Sequence, residues 1–250
     1  PWRRTGRRRP TSESALGSVR SGPDQTGSMS EPLRVDVWSD VVCPWCYIGK
    51  RNMDAAIRDF TGADGGVPVV VEFHSFELDP SAPEDFDGSS VDYLARHRGV
   101  DPETARQMQR QVARVAAAVG LDYDFEGLKP ANTLKAHQLL HLAKAHGRQV
   151  EVKESLMRAH FVEGRHIGDI DELATIGAEV GIPAEEVVSA LERQEYVEAV
   201  RADQQLAARI GIRGVPFFVI DGRFGISGAQ RPEVFIETLN RAASESAEAS

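Results

Sequence analysis

Both cysteines of this 250-residue chain fall in one tetrapeptide, Cys43-Pro44-Trp45-Cys46, at the point where a strand pattern hands over to a helix pattern. The apolar run from Leu33 to Trp38 reads as a strand, Ser39 to Val42 as a short connection. From Tyr47 onward apolar residues recur at helical spacing. Two thiols three residues apart can close into a disulfide and reopen with little backbone motion. At a helix N-terminus, unpaired N–H groups and the macrodipole favour the thiolate of the first cysteine. On residues alone, three readings stand: a dithiol that exchanges disulfides, half of a tetrahedral zinc site, or two core cysteines at chance spacing.

Charge narrows the partners. The net charge is −9, but residues 1–28 carry six arginines against Glu13 and Asp24, a local balance of +4, which leaves −13 elsewhere. An acidic body argues against nucleic acid or an anionic membrane as partner. The arginines are not followed by an apolar segment, so residues 1–30 read as a disordered extension rather than an export signal. A cytoplasmic setting follows as an expectation, and there a Cys-x-x-Cys pair is more often catalytic or metal-binding than structural.

Along the chain, Thr61 to Gly66 break the first helix and Val67 to His74 read as a second strand. A helix between two apolar strands predicts a parallel βαβ unit. Helical patterns then follow over Val91–Arg98, Asp101 to about Val119, Asn132–His146, Val150–Val162, Asp169–Val180, Pro183–Leu191 and Glu195–Ile210. Strands return at Pro216 to Ile220 and Arg223 to Ser227, joined by the hairpin signal Asp221-Gly222. A last helix runs from Arg231 to about Ala243. The order predicts an α/β protein, βαβ…ββα, with a large all-helical insertion between the second and third strands. Its expected parts are the extension 1–30, sheet segments 31–88 and 211–243, the insertion 89–210 and a frayed tail 244–250.

With these elements in place, Cys43-Pro44-Trp45-Cys46 and Gly214-Val215-Pro216 resemble the thioredoxin fold of the DsbA type. Asp40 to Lys50, Glu163 to Asp169 and Gly214 to Asp221 resemble the FrnE-like branch of that family, and the similarity spans about residues 33–243. The related 2-hydroxychromene-2-carboxylate isomerases and kappa-class glutathione transferases typically carry serine where Cys43 stands. The cysteine therefore favours redox chemistry. Some FrnE-like proteins add a C-terminal cysteine motif, which this chain lacks.

The resemblance implies a thiol–disulfide oxidoreductase or isomerase acting on protein disulfides, with Cys43 as an exposed nucleophile and Cys46 as the more buried resolving thiol. Pro44 fits an early helical position. Trp45 either stacks on substrate or is merely an exposed aromatic. The resemblance also implies a cis Pro216 that brings Val215 beside the cysteines, its backbone free to pair with an extended substrate. Asp40 either shuttles a proton for Cys46 or, as the favoured role, caps the helix or bonds the loop. Glu163, Arg165 and His166 are either substrate contacts or locally ion-paired loop residues.

His137, His141 and His146 read as a solvated or half-buried helix face rather than zinc ligands. No metal or organic cofactor is called for, with glutathione a candidate redox partner and a homodimer one open assembly. Two alternatives remain: a glutathione-dependent isomerase or transferase whose insertion holds an aromatic substrate, and a redox-sensing binding protein.

Overall fold

The computed structural model describes residues 31–63 and 67–249. The expected disordered extension, 1–30, lies outside the described residues, as do 64–66 and 250. β1 (Leu33–Ser39) and β2 (Val69–Ser75) run parallel, with Leu33 opposite Val69 and Ser39 opposite Ser75. α1 (Pro44–Gly62) joins them, completing the βαβ unit expected from periodicity.

The chain returns to the sheet with β3 (Phe217–Ile220), antiparallel to β1, and β4 (Phe224–Ser227), antiparallel to β3. The strand order is β2-β1-β3-β4, which seats the N-terminal strand centrally. The hairpin turns where Asp221-Gly222 signalled: both residues have positive φ, 54° and 66°, and Arg223 N–H bonds Ile220 O across them. Arg223, expected to open the partner strand, is instead a third connecting residue, since Ile220 pairs with Phe224.

Between β2 and β3 lie α2 (Ser90–Arg98), α3 (Pro102–Ala117), α4 (Leu134–Ala145), α5 (Gln149–Phe161), α6 (Ile170–Glu179), α7 (Ala184–Glu192) and α8 (Val197–Arg209). Local chemistry sets several of their starts. Asp101 accepts from the N–H groups of Glu103 and Thr104 ahead of Pro102, and Asp169 accepts from Glu172 N–H, as N-cap aspartates do. Ser89 and Asp92 form a reciprocal capping box at α2.

The last helix, α9 (Pro232–Ala249), corrects one expectation: it continues through the segment 244–249 that was expected to fray. Glu245 accepts from Arg241 one turn earlier and from Arg223 on the hairpin, and Arg223 also donates to Ser246 Oγ. Those bonds tie the last turns of the helix to the sheet, which composition alone does not reveal.

Alternation along β1 divides the core. Leu33, Val35 and Val37 pack with Met53 and Phe60 of α1 and with Phe235 and Leu239 of α9. Trp38 points to the opposite face, against Ala207 of α8 and Ile212, as the period of two demands. The insertion has its own apolar centre, where Leu139, Leu156, Leu173 and Val187 meet across α4–α7. A further cluster lies in the seam between α1 and the insertion. It holds Cys43, Cys46, Tyr47 and Ile48 with Leu121, Tyr123, Met157 and Phe161. The cysteines thus sit where the two halves of the molecule close upon each other.

Candidate active site

Cys43 is the N-cap of α1, with extended backbone angles (φ −86°, ψ 112°), and Pro44 occupies the first helical position. Pro44 has no N–H to leave unpaired there. The Cys43 N–H bonds back to Asp40 O (3.4 Å) and the Cys46 N–H to Cys43 O (3.0 Å), so a tight turn feeds the helix. Tyr123 donates its hydroxyl to Pro44 O at 2.8 Å and pins the first turn to the insertion. Both cysteines are free thiols.

The exposed nucleophile expected from the sequence is corrected here: Cys43 is 4% exposed and Cys46 2%. The insertion is the reason, since residues of α3, α5 and the α3–α4 connection pack over the start of α1. Trp45, at 42% exposure, is the outward residue of the motif. The other expectation for Cys43 holds in direction. Its thiol titrates below the ordinary value, chiefly because the Cys46 thiol donates a hydrogen bond to it; burial and the Asp40 carboxylate oppose this, and the N–H groups of Cys46 and Trp45 assist. Cys46 titrates well above its ordinary value, first because burial disfavours its thiolate and then because Cys43 is so close. The two environments push one pair of identical groups apart, giving one thiol that ionises readily and one that holds its proton.

The downstream loop arrives as the motif implied. The Val215–Pro216 bond is cis, and the Cys43 thiol lies 3.8 Å from Val215 O, to which it donates. Gly49 makes room for this loop: a Cβ there would lie 3.0 Å from Pro216 Cγ and 3.2 Å from Phe218 Cζ. A small residue one turn into α1 is therefore what lets the helix and the proline loop approach.

Asp40 is fully enclosed and takes the loop-bonding role, without capping α1. Its Oδ2 accepts from Leu78 N–H at 2.7 Å and its Oδ1 pairs with His137 Nε2 at 3.2 Å. The carboxyl titrates below its ordinary value; burial, the largest single influence, would raise it, and the His137 bond and charge, the Leu78 N–H and the Lys153 charge together outweigh burial.

His137 is buried rather than half-exposed. His141 bonds Ser75 Oγ and pairs with Asp203, and His146 pairs with Glu186, so the three histidines go to separate partners. Among the described residues no group of three or more His, Cys, Asp or Glu is arranged to hold a metal. Arg165 binds Glu163, Glu172 and Glu179, and His166 approaches Asp85, so this trio is locally ion-paired.

Sequence reasoning missed Lys153. It is fully buried on α5, donates to Ser39 O at 3.3 Å and stands 5.5 Å from the Phe73 ring centroid. Burial lowers its pKa to about 8, against the opposing charges of Cys46, Asp40 and Cys43. A signal was present: on α5 the residues at 149, 152, 153, 156, 157 and 160 form one buried stripe, and a lysine within it breaks the apolar pattern. His160 shares that stripe, with its pKa lowered by burial to about 4 and its Nδ1 unpaired.

An apolar cavity of about 240 Å³ opens beside Cys43. Pro44 and Trp45 form its α1 side, Leu94, Met108, Val112 and Phe125 its insertion side, and Asp40 and His160 are among the polar residues that line it.

Residues 34–240 match the family model of the DSBA-like thioredoxin domain. The chain is 30% identical over 210 residues to the uncharacterized protein YwbO of Bacillus subtilis (strain 168), covering 83% of this chain and 96% of that one. The structure is similar to that of a probable DsbA oxidoreductase from Streptomyces coelicolor, with 38% identity, a TM-score of 0.78, and coverage of 85% and 91% of the two chains. It shares its fold with the cytosolic disulfide reductase DsbM from Pseudomonas aeruginosa, solved with GSH, at 19% identity, a TM-score of 0.59 and coverage of 84% and 99%. Since that family model spans most of the chain, from the first strand into the last helix, the chain belongs to the DSBA-like thioredoxin domain family.

Proposed function

We propose that the protein is a thiol–disulfide oxidoreductase, with isomerase activity in reach, acting on protein disulfides through Cys43 and Cys46. The observation that carries this reading is the divergence of the two thiols: Cys43 lowered and Cys46 raised at the same helix terminus. The Cys43 thiolate attacks a substrate disulfide, forming a mixed disulfide and releasing the other substrate sulfur as thiolate. Cys46 then attacks the Cys43 sulfur, closing the internal disulfide and releasing the second substrate thiol. Val215, whose carbonyl already reaches Cys43, offers backbone to an extended substrate segment. Trp45 supplies an exposed aromatic surface next to the nucleophile.

Glutathione is the proposed redox partner and the cytoplasm the proposed setting. Among the described residues no helix is long and apolar enough to cross a membrane, and DsbM, which shares the fold, is a cytosolic reductase.

The decisive experiment equilibrates the Cys43–Cys46 couple against glutathione buffers and assays insulin reduction and scrambled-ribonuclease refolding. Turnover is expected and is expected to vanish in Cys43→Ser. A pair that does not cycle ends the proposal. The cavity beside Cys43 favours a second reading, a glutathione-dependent isomerase or transferase of an aromatic small molecule. That reading requires activity to survive Cys46→Ser, whereas disulfide exchange with release of product does not.

A further inference from the structure

Closing the internal disulfide requires Cys46 to lose a proton in a place that opposes its ionisation. Its thiol is 2% exposed, within an apolar cluster that includes Met157 and Phe161 of α5, and it titrates well above the ordinary value. Water cannot readily collect that proton. The same wall of the site holds a group that can: Lys153, one helical turn before Met157, with no solvent exposure.

A lysine ammonium brings three N–H donors, and among the described residues Lys153 has one hydrogen bond, to Ser39 O. Ser39 also borders Cys46: its hydroxyl is buried without a conventional partner, yet near enough to favour the Cys46 thiolate. One residue at the end of β1 therefore links the amine and the resolving thiol. A buried amine with unfilled donors, beside a buried thiol that must ionise, is costly as mere scaffolding.

The geometry points to Lys153 as the internal base of the resolving step, accepting the proton that Cys46 gives up as its sulfur attacks Cys43 of the mixed disulfide; this rests on the exchange reading above. The step balances as follows. Neutral Lys153 takes the Cys46 proton and becomes an ammonium. The Cys46 sulfur forms its bond to the Cys43 sulfur, the Cys43–substrate bond breaks, and its electron pair leaves on the substrate thiolate. The ammonium passes its proton to the departing substrate thiolate before the next turnover.

The titration of Lys153 suits the task, since burial brings it to about 8, where both of its forms are present near neutral pH. The charged and titratable groups facing it are Cys46, Cys43, Asp40 and Lys50. Asp40 is itself held by His137 of α4, and Lys50 is held by Asp54 and Glu154. β2 presents to it the uncharged Phe73 ring. Asp40 favours the ammonium and Lys50 disfavours it, so two fixed charges of opposite sign flank the base.

The test separates the two half-reactions. Reduced protein mixed with the aromatic disulfide 5,5′-dithiobis(2-nitrobenzoate) releases one coloured thiolate when Cys43 attacks and a second when Cys46 resolves. The second phase is unimolecular and independent of reagent concentration. In the wild-type chain its rate is expected to rise with pH through about 8 as Lys153 becomes neutral. In Lys153→Met it is expected to fall on the order of 10²-fold near neutrality, and to rise only at the higher pH where Cys46 ionises unaided. The first phase slows far less.

Lys153→Gln, which retains a donor to Ser39 O but no base, gives the same result if proton transfer is the role. It restores the second phase if hydrogen bonding alone matters. A second phase that keeps its rate and pH profile in Lys153→Met overturns the inference while leaving disulfide exchange intact. A wild-type second phase that is flat across pH 8 does the same without any variant. Absence of both phases in the wild-type chain sinks the exchange reading instead.

Discussion

At the residue scale, the reactivity of Cys43 is set by neighbours one to three positions away: the Cys46 thiol and the N–H groups of Cys46 and Trp45 favour its thiolate, and the Asp40 carboxylate opposes it, as burial does. Asp40 works against the Cys43 thiolate, so Asp40→Asn is expected to lower the pH midpoint of Cys43 alkylation by iodoacetamide. It also removes a buried charge bonded to His137 and Leu78 N–H, at a cost of about 1–3 kcal/mol in chemical denaturation. A midpoint that moves upward contradicts the assigned sign.

Trp45 contributes no charge beside the nucleophile. In Trp45→His the imidazolium joins the N-terminal turn where the Cys43 thiolate forms. Worth about 0.2–1 kcal/mol as an exposed pair of opposite charges, it makes the couple more oxidising by about 5–20 mV. Equilibration with glutathione reads this directly, and an unchanged or lower potential refutes it.

At the scale of elements, α1 meets the cis-proline loop through Gly49. Alanine is the better helix former by roughly 1 kcal/mol. Its methyl, however, would sit 3.0 Å from Pro216 Cγ and 3.2 Å from Phe218 Cζ, with Ala229 Cα at 3.4 Å. The loop and ring must give way together, so Gly49→Ala is expected to destabilise by a net of about 1–2 kcal/mol, read as a lower Tm. Displacing Val215 from Cys43 should depress insulin reduction more than the stability loss accounts for. A variant with raised Tm and full activity would show that the approach is looser than the distances state.

At the scale of the whole molecule, a charged staple fastens the insertion to the sheet. His74 on β2 bonds Asp36 on β1 through Nε2 (2.7 Å) and Asp203 on α8 through Nδ1 (2.9 Å), with Trp38 stacked on its ring at 4.4 Å. Asp203 also accepts from Ser75 N–H and pairs with His141 of α4. Burial would lower the His74 pKa, but the bonds to Asp203 and Asp36 raise it to about 9. The folded pKa exceeds the unfolded one, so this stabilisation is complete below about 6.5 and lost as pH rises through about 9, worth up to about 3 kcal/mol.

Two other buried groups shape the curve. His160, lowered to about 4, makes stability rise with pH between 4 and 6.5, and Lys153, lowered to about 8, makes it rise again above 8. Urea unfolding across pH is therefore expected to show maximal stability near 6.5 and a decline from there to about 8. In His74→Gln, which takes one partner from Asp36 and one from Asp203 while Arg34 still holds the first and Ser75 N–H and His141 the second, stability below pH 6.5 should drop by about 3 kcal/mol and that decline should vanish. Its persistence would place the alkaline loss elsewhere.

The legible and illegible parts of this protein differ in a consistent physical way. Helix starts at Asp101 and Asp169, the Asp221-Gly222 hairpin and the strand–Cys-x-x-Cys–helix junction could be read because local hydrogen bonding and backbone sterics govern them. The seam that buries Cys43 could not, since its walls come from positions 116 to 161 and their approach depends on how the insertion folds back. The continuation of α9 to Ala249 depends on Arg223, far away on the hairpin. Lys153 drew no reading from the sequence, and only the closing of α5 against β1 and β2 makes it a buried amine. By itself the sequence determined the elements, the dithiol and its place at a helix terminus, because these obey interactions among near neighbours. Tertiary structure decided how deeply both thiols are buried, what encloses them and which base lies behind them, because desolvation and charge act through space.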